Sequence, residues 1–453
     1  MEIQHIYASL PLELPNISSE YIDIALDLSN LTVLLGPNAS GKTLCLETLG
    51  YIVAAYTSFD NKPLAYVLVD SLRPGRVAVQ ATTKFHSRPA LVGFASSKYV
   101  HSMVTLQVPI EGSDERTRVT YTEILNLVRK FRENNISTNL IEKEFEKDMT
   151  ILNELLTLLS IRKSLVDLHE LYKLSEKLLD EIFGAKEIHI SWLRSTELGH
   201  RPILKSSSIL RVDLLHMLRQ MRFGLLKSRV TVVYSVYREL LSKDLLIETR
   251  YGLLLLSSRE LSTSNLISVL AFTPSLTYFP ELFETLYTAY VKRRRSKESE
   301  ALEILKRYIE WCEGLDIIDN TLYLRHRGYR VPIYMLSNGQ RVVTLLCLLY
   351  AMTVGPTLLL IDTPEAFVHP DGLPIVADVL ARLVERGNQV IIATQSMEFL
   401  TELIKKCKEH RIVDKLELKR IFISNTGRIH VKGSWKGPVG ADIILELQAD
   451  LRR

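Results

Sequence analysis

The sequence predicts an α/β fold: a mixed-sheet core with an antiparallel β-subdomain, carrying a large, mainly helical insertion. Three observations predict it. Near the N-terminus, an alternating stretch and a short apolar run lead through a glycine-bearing loop into a helical pattern. Near the C-terminus, a second apolar run, Leu358 to Ile361, ends on Asp362. Between them lies a long region of leucines set among charges. The chain divides accordingly into an N-terminal lobe (residues 1–115), the insertion (116–320) and a C-terminal lobe (321–453).

The elements follow in order. Ile22, Ile24, Leu26 and Leu28 alternate with Tyr21, Asp23, Ala25 and Asp27, the period of a half-buried strand. Ser29-Asn30 turns the chain, and Leu31 to Leu35 is a buried strand. Leu46, Leu49, Ile52 and Val53 then stand near helical spacing. Leu64 to Ile110 reads as β, with AYVLVDSL and GRVAVQATT flanking a turn at Arg73-Pro74-Gly75. Thr120 to Arg250 reads as mostly helical, with Leu152, Leu155, Leu159, Leu165, Leu168 and Leu178 among Glu142, Lys143, Lys147, Glu154 and Lys163. A helical lid packed on the core suits this stretch better than a coiled-coil arm, because the heptad is not sustained. Gly184 and the stretch from Gly199 to Pro202 interrupt it. The run Lys292-Arg293-Arg294-Arg295 reads equally as a solvated helix end or a phosphate contact. A strand, turn and strand begin at Leu322, and Leu345 to Val354 is a buried helix. LKRIFIS, Asn425-Thr426-Gly427 and RIHVK form a hairpin.

Composition narrows the class. Apolar residues make up 47% of the chain, enough for a sizeable core. The net charge of +4 is too small for a nucleic-acid-binding tail, so any basic surface must come from local clustering. Cys45, Cys312, Cys347 and Cys407 are scattered and form no CxxC pair. That argues against a disulfide framework or a zinc site and for a reducing cytosol. The first residues lack a signal-peptide pattern, and no apolar run approaches the about 20 residues of a membrane span. A cytoplasmic protein without a membrane partner is expected.

Three motifs carry chemistry. Gly36-Pro37-Asn38-Ala39-Ser40-Gly41-Lys42-Thr43 fits GxxxxGK[ST], the P-loop pattern. Its glycines let successive backbone N–H groups face phosphates, and the helix that follows adds its positive end. Lys42 is expected to reach the β- and γ-phosphates of ATP, and Thr43 to put its hydroxyl on Mg²⁺. A plain glycine-rich turn is the bland alternative, and the flanking strand and helix weigh against it. The second motif runs from Thr357 to Pro370, where Asp362 ends a buried strand and is placed to hold Mg²⁺ opposite Thr43. Glu365, three residues on, is placed to orient the attacking water. A strand-end carboxylate that merely caps the next turn is the alternative. The third motif is LSNGQ, Leu336 to Gln340. Ser337 and Gln340 have the spacing of a capping box, and such a helix start also suits a γ-phosphate.

The order of P-loop, long interruption, LSNGQ, IDTPEAFVHP and VIIATQSMEFL resembles that of ABC-type P-loop ATPases. LSNGQ is similar to the signature LSGGQ of that group. IDTPEAFVHP resembles the IDEPE-x-x-x-HP block of the SMC/RecF/OLD-like AAA branch, and VIIATQS resembles its switch strand. The resemblance covers residues 20–56 and 331–430. It implies a P-loop NTPase fold with an ABC-type head, ATP and Mg²⁺ as cofactors, and a homodimer closed through ATP. In such a dimer Ser337, Gly339 and Gln340 would contact the partner's nucleotide. It also implies a role in DNA maintenance or defence with a separate effector protein, nucleic acid entering by family analogy alone. Two positions depart from the pattern. Thr363 stands where the group has its catalytic glutamate, and Gln395 where a phosphate-sensing histidine is common. Both imply slow hydrolysis, or a shift of the base to Glu365. No acidic cluster of a fused nuclease follows Gln395. An ATP-sensing switch or scaffold with little turnover is the alternative reading. A transporter ATPase subunit is disfavoured by the long span from Thr43 to Leu336.

Overall fold

The computed structural model describes residues 3–11, 17–19, 21–56, 298–318, 321–352 and 357–451, together with the backbones of strands between residues 90 and 272. The chain opens with β1 (Ile3–Pro11), β2 (Tyr21–Asp27) and β3 (Leu31–Leu35), then α1 (Lys42–Tyr56). The alternation expected for β2 is present, with Ile22, Ile24 and Leu26 buried and Ala25 and Asp27 exposed. β3 is buried at every position, as an apolar run covered on both faces must be. The strands β4 (Ala90–Ser96), β5 (Val100–Val108), β6 (Ile188–Leu193), β7 (Leu204–Ile209), β8 (Arg229–Tyr237), β9 (Leu240–Thr249), β10 (Gly252–Ser257) and β11 (Ser268–Phe272) follow. Next come α2 (Glu298–Tyr308), β12 (Gly314–Ile318), β13 (Thr321–His326), β14 (Tyr329–Pro332) and α3 (Asn338–Met352). The chain ends with β15 (Thr357–Asp362), α4 (Leu373–Glu385), β16 (Gln389–Thr394), α5 (Met397–Glu409), the hairpin β17 (Leu416–Ile423) and β18 (Ile429–Lys436), and α6 (Ala441–Leu451).

Two large sheets organise these elements. A six-stranded sheet has the order β11-β15-β16-β3-β17-β18 and is parallel from β11 to β17, with β18 antiparallel at its edge. A nine-stranded sheet, β2-β1-β4-β5-β8-β9-β10-β6-β7, is antiparallel throughout. A small antiparallel sheet joins β12, β13 and β14. The two large sheets meet where Asp23 N–H donates to Gly427 O at 2.9 Å, beside an isolated bridge from Asp23 to Arg428.

The mixed core and the antiparallel β-subdomain are thus present, but the helical expectation for Thr120 to Arg250 fails wherever this stretch is described. β6, β7, β8 and β9 lie within it. The physical reason is legible in β8, where Val230, Val232, Tyr234 and Val236 recur at period two and are β-branched or aromatic. The leucine pattern of the sequence over 152–178 does not continue into β8. That leucine-rich stretch, Gly184, Gly199–Pro202, the turn at residues 73–75 with its flanking segments, and the run from Lys292 to Arg295 lie outside the described residues.

Helices cover the parallel sheet on both faces. Leu31, Val33, Leu35, Leu359, Ile361, Val390 and Ile392 share one apolar core with residues of α2, α3, α4 and α5. The alternate residues Leu34, Leu358, Leu360 and Ile391 are equally buried on the other face, where α1 packs against β11, β15 and β16. The resulting three layers hold the C-terminal strand ends open at one edge, the place where open α/β sheets bind ligands.

A buried ion cluster ties the helical layer together. Asp378 on α4 is 5% exposed. Its Oδ1 faces His410 Nε2 at 2.7 Å, and Arg382 Nε donates to its Oδ2 at 3.0 Å. Arg307 of α2 donates to the same oxygen at 3.4 Å. Burial alone would raise the Asp378 carboxyl, but the hydrogen bonds from His410 and Arg382 outweigh it and hold the group below its ordinary value. A carboxylate depressed in the folded state adds stability above its unfolded pKa, and that stability is lost as pH falls through the folded one. Asp378→Ala should therefore cost about 2 kcal/mol at neutral pH, less than for a fully buried pair because the arginines are partly exposed. Urea titrations of both proteins across acid pH check this: the gap should close as pH falls below the ordinary aspartate value of 3.8. A gap that stays constant with pH would remove the electrostatic explanation.

Candidate nucleotide site

The site forms where three parallel strands end. Leu35 pairs with Thr394, and Ala393 with Asp362, so the ends of β3, β16 and β15 line up at one sheet edge. The chain leaves β3 at Gly36, where a Cβ would fall 2.5 Å from Ile421 O and 2.6 Å from Ser40 Oγ. Only glycine fits there. Ala39 (φ 61°) and Gly41 (φ 91°) take left-handed backbone conformations and curl the loop back toward α1. Cys45 N–H closes the first helical bond onto Gly41 O at 2.9 Å. Pro37, Asn38 and Ala39 are exposed, while Ser40 and Lys42 are buried.

Lys42 sits at the centre of this loop. Its Nζ donates to Gly36 O and to Pro37 O, both at 2.7 Å. Burial lowers the lysine pKa, and the charges of Asp362 and Glu365 oppose that shift. The ammonium thus lies under the influence of two carboxylates. The Thr43 hydroxyl donates to Asp362 Oδ2 at 2.6 Å. A hydroxyl and a carboxylate converging from α1 and β15 are hard oxygen ligands, the set that Mg²⁺ takes when phosphates and waters supply the rest. The residues present fit that ion. Among the described residues, no group of three or more His, Cys, Asp or Glu side chains could hold a metal by itself.

Beyond Asp362 the chain makes a strained turn. Thr363 has φ 53° and Phe367 φ 64°, positions that side chains seldom adopt. Thr363 N–H donates to Ala393 O at 2.7 Å, and its hydroxyl to Asp362 O at 2.8 Å. Both bonds serve the turn, and the side chain has no basic group. The turn carries Glu365 inward. Thr394 Oγ1 donates to Glu365 Oε1 at 2.6 Å, and Oε2 is buried without a hydrogen-bond partner. Burial raises the Glu365 carboxyl above its ordinary value; the Thr394 hydroxyl and the backbone amides of Glu365 and Gln395 oppose this, and the nearby Asp362 adds to it. A poised, partly unsatisfied carboxylate beside a cation is a group suited to take a proton. Gln395 itself is exposed, just past β16.

LSNGQ opens α3 as a capping box. Gln340 N–H donates to Ser337 Oγ at 3.3 Å, and Ser337 N–H to Gln340 Oε1 at 3.1 Å. Gly339 is buried, and a Cβ there would lie 2.7 Å from Phe367 O and 2.8 Å from Tyr308 Oη. Its missing side chain is therefore already required by contact with the turn after Asp362. Among the described residues no hydrogen bond joins Leu336–Gln340 to the loop of residues 36–43. The structure brings Lys42, Thr43, Asp362 and Glu365 together and leaves Ser337 outward, exposed beside Tyr334 and Met335. Sequence reasoning missed Thr394 and Tyr308. Thr394 stands in VIIATQS next to Gln395, and that string is the signal that could have found it. Nothing local marks Tyr308.

Comparison with known proteins gives a family match over part of the chain. The family described as "AAA domain, putative AbiEii toxin, Type IV TA system" matches residues 233–401. That span includes LSNGQ, Asp362, Glu365 and Gln395 but not the P-loop, which the geometry supplies. Together they support a P-loop ATPase. An uncharacterized protein of Methanocaldococcus jannaschii, MJECL11, is 36% identical over 70 residues, 15% of this chain and 58% of that protein. The chain therefore spans less than two thirds of that relative. Among solved structures, the Smc head domain with an extended coiled coil bound to the C-terminal domain of ScpA, from Pyrococcus furiosus, aligns at TM-score 0.38 and 12% identity, covering 100% of this chain and 99% of that one. The SMC head domain from Thermotoga maritima aligns at 0.31 and 9%, covering 97% and 100%. UvrA2 from Deinococcus radiodurans aligns at 0.30 and 11%, covering 100% of this chain and 40% of that one. Scores this low do not bear on the fold. Among the described residues, no helix is long and apolar enough to cross a membrane.

Proposed function

We propose that this protein binds ATP with Mg²⁺ at Gly36–Thr43 and hydrolyses it slowly, with Glu365 as the general base. The observation that carries the reading is the 2.6 Å contact between Thr43 and Asp362, residues 319 positions apart in sequence. Bound there, Mg²⁺ would neutralise charge on the phosphates. Lys42 binds and orients the γ-phosphate. Water attacks the γ-phosphorus, the bond to the bridging oxygen breaks, ADP leaves with the electron pair, and the water's proton passes to Glu365. Phosphate release measured with and without DNA tests this reading; no turnover under either condition overturns the hydrolytic part.

A second reading is an ATP-sensing switch that hardly turns over, favoured by Thr363, which offers no base directly after Asp362. In both readings ATP joins two copies head to tail, Ser337, Gly339 and Gln340 of one copy meeting the nucleotide of the other. The exposed side chains Tyr334 (61%), Met335 (71%) and Phe367 (58%) around Ser337 support a surface that a second copy covers. By resemblance, the dimer serves DNA maintenance or defence alongside a separate effector protein in the cytoplasm. The expected outcome is that Ser337→Arg blocks dimerisation without weakening nucleotide binding. Analytical ultracentrifugation with Mg²⁺ and a slowly hydrolysed ATP analogue reads this directly. A wild type that stays monomeric, or a variant that dimerises equally well, reduces LSNGQ to a helix cap.

A further inference from the structure

Thr394 is fully buried at the end of β16. Its hydroxyl is engaged on both sides. Ser396 N–H donates to Oγ1 at 3.0 Å, so that lone pair is taken. The hydroxyl proton goes to Glu365 Oε1 at 2.6 Å. Ser396 in turn caps α5, its Oγ accepting from Phe399 N–H at 3.1 Å. The direction of the Thr394 hydroxyl is therefore set by backbone on one side and delivered to one carboxylate oxygen on the other.

That leaves the second oxygen of the same carboxylate. Glu365 Oε2 is buried and has no hydrogen-bond partner among the described residues. Buried carboxylate oxygens almost always have one, so an orphan of this kind calls for a functional account. The groups that act on the Glu365 carboxyl are the charges of Asp362 from β15 and Lys42 from α1, the Thr394 hydroxyl from β16, and the backbone amides of Glu365 and Gln395. Holding Oε1 limits how far the carboxylate can turn, so the Thr394 hydroxyl, with the backbone amides beside it, constrains where Oε2 points.

We propose that Thr394 is the positioning residue of the hydrolytic site, pinning Glu365 Oε1 so that Oε2 takes the proton of the attacking water. The inference rests on the reading of Glu365 as the base and adds the group that aims it. In the step, the water oxygen bonds to the γ-phosphorus, the bond from that phosphorus to the bridging oxygen breaks with its electron pair leaving on ADP, and the proton moves to Oε2. Thr394 touches neither nucleotide nor water and exchanges no proton.

Two near-isosteric variants of the full chain separate orientation from packing. Thr394→Val keeps the shape and removes the hydroxyl; Thr394→Ser keeps the hydroxyl and removes the methyl. The valine variant is expected to lose about ten- to a hundredfold in kcat, with KM for ATP unchanged. Its acid limb should move to higher pH, because a hydrogen bond favouring the charged carboxylate is gone and the base protonates sooner. The serine variant should restore both the rate and the limb. If Thr394→Val keeps the wild-type rate and pH limb while Glu365→Gln is inactive, this inference falls and the base assignment stands. Equal losses in the valine and serine variants also overturn it, since packing would then be the cause. If Glu365→Gln keeps full turnover, or the wild type has none, the underlying reading falls and this inference with it.

Discussion

Lys42→Ala is expected to weaken ATP binding by about one to two orders of magnitude, the worth of a charge-assisted hydrogen bond to phosphate. Turnover should fall further, by about a hundred- to a thousandfold, because the ammonium meets charge that grows as the γ-phosphoryl group transfers. The reason lies in where the side chain is held. Nζ is fixed by Gly36 O and Pro37 O at 2.7 Å, inside the curl of the loop, and the side chain is 8% exposed. Its positive charge is opposed only by burial and is sustained by Asp362 and Glu365. Alanine removes the donor to both carbonyls, which should cost stability of about 1 kcal/mol, too little to unfold the domain. Lys42→Arg is not a rescue, since the planar guanidinium is larger and lies differently in a curl built around a point charge. Binding of a fluorescent ATP analogue and phosphate release, with thermal melting as a control, read all of this. Wild-type affinity together with wild-type turnover in Lys42→Ala would remove the nucleotide site from this loop.

Glu365→Gln is expected to lower kcat by about two to four orders of magnitude while leaving KM nearly unchanged. Glutamine matches the shape and still accepts from Thr394 at one atom, but it cannot take a proton near neutral pH. The ATP-bound state should then accumulate, and a dimer held by ATP should persist longer. Thr363→Ala should change kcat only a few-fold, because the Thr363 hydroxyl is spent on Asp362 O. The wild-type pH profile should carry the same signature. Burial and the Asp362 charge raise the Glu365 carboxyl above its ordinary 4.5, against the pull of Thr394. A base must be deprotonated to act, so kcat should fall with decreasing pH at a value above that of a free glutamate. Full activity in Glu365→Gln with loss in Thr363→Ala would reverse the assignment and return the base to the position next to Asp362.

How much of this was legible in the sequence depends on the distance over which each feature is built. The P-loop reads from eight consecutive letters because its shape is local: glycine at Gly36 and Gly41, a buried strand before, a helix after. LSNGQ reads as a capping box for the same reason, its two hydrogen bonds joining residues three apart. The hairpin at Asn425-Thr426-Gly427 reads from its turn, with Gly427 at φ 77°. β8 is equally legible by its period of two, in valines and tyrosine rather than in the leucines that precede it in sequence.

What the sequence determined by itself was therefore each local shape and which face of it avoids water: β2 alternating, β3 buried throughout, β15 buried up to Asp362, the loop curled, the helix capped. What only the tertiary structure decided was which of these faces meet. The order β15-β16-β3 puts Thr43 against Asp362 and Thr394 against Glu365, across 319 and 29 residues of chain. The same packing brings Phe367 O within 2.7 Å of where a Gly339 Cβ would stand, and so requires glycine there. The physical reason is that apolar periodicity specifies that a face is buried but not against what. Strand order and register are settled by the sum of contacts over the whole core, and one hydroxyl at the end of a buried strand leaves no periodic trace.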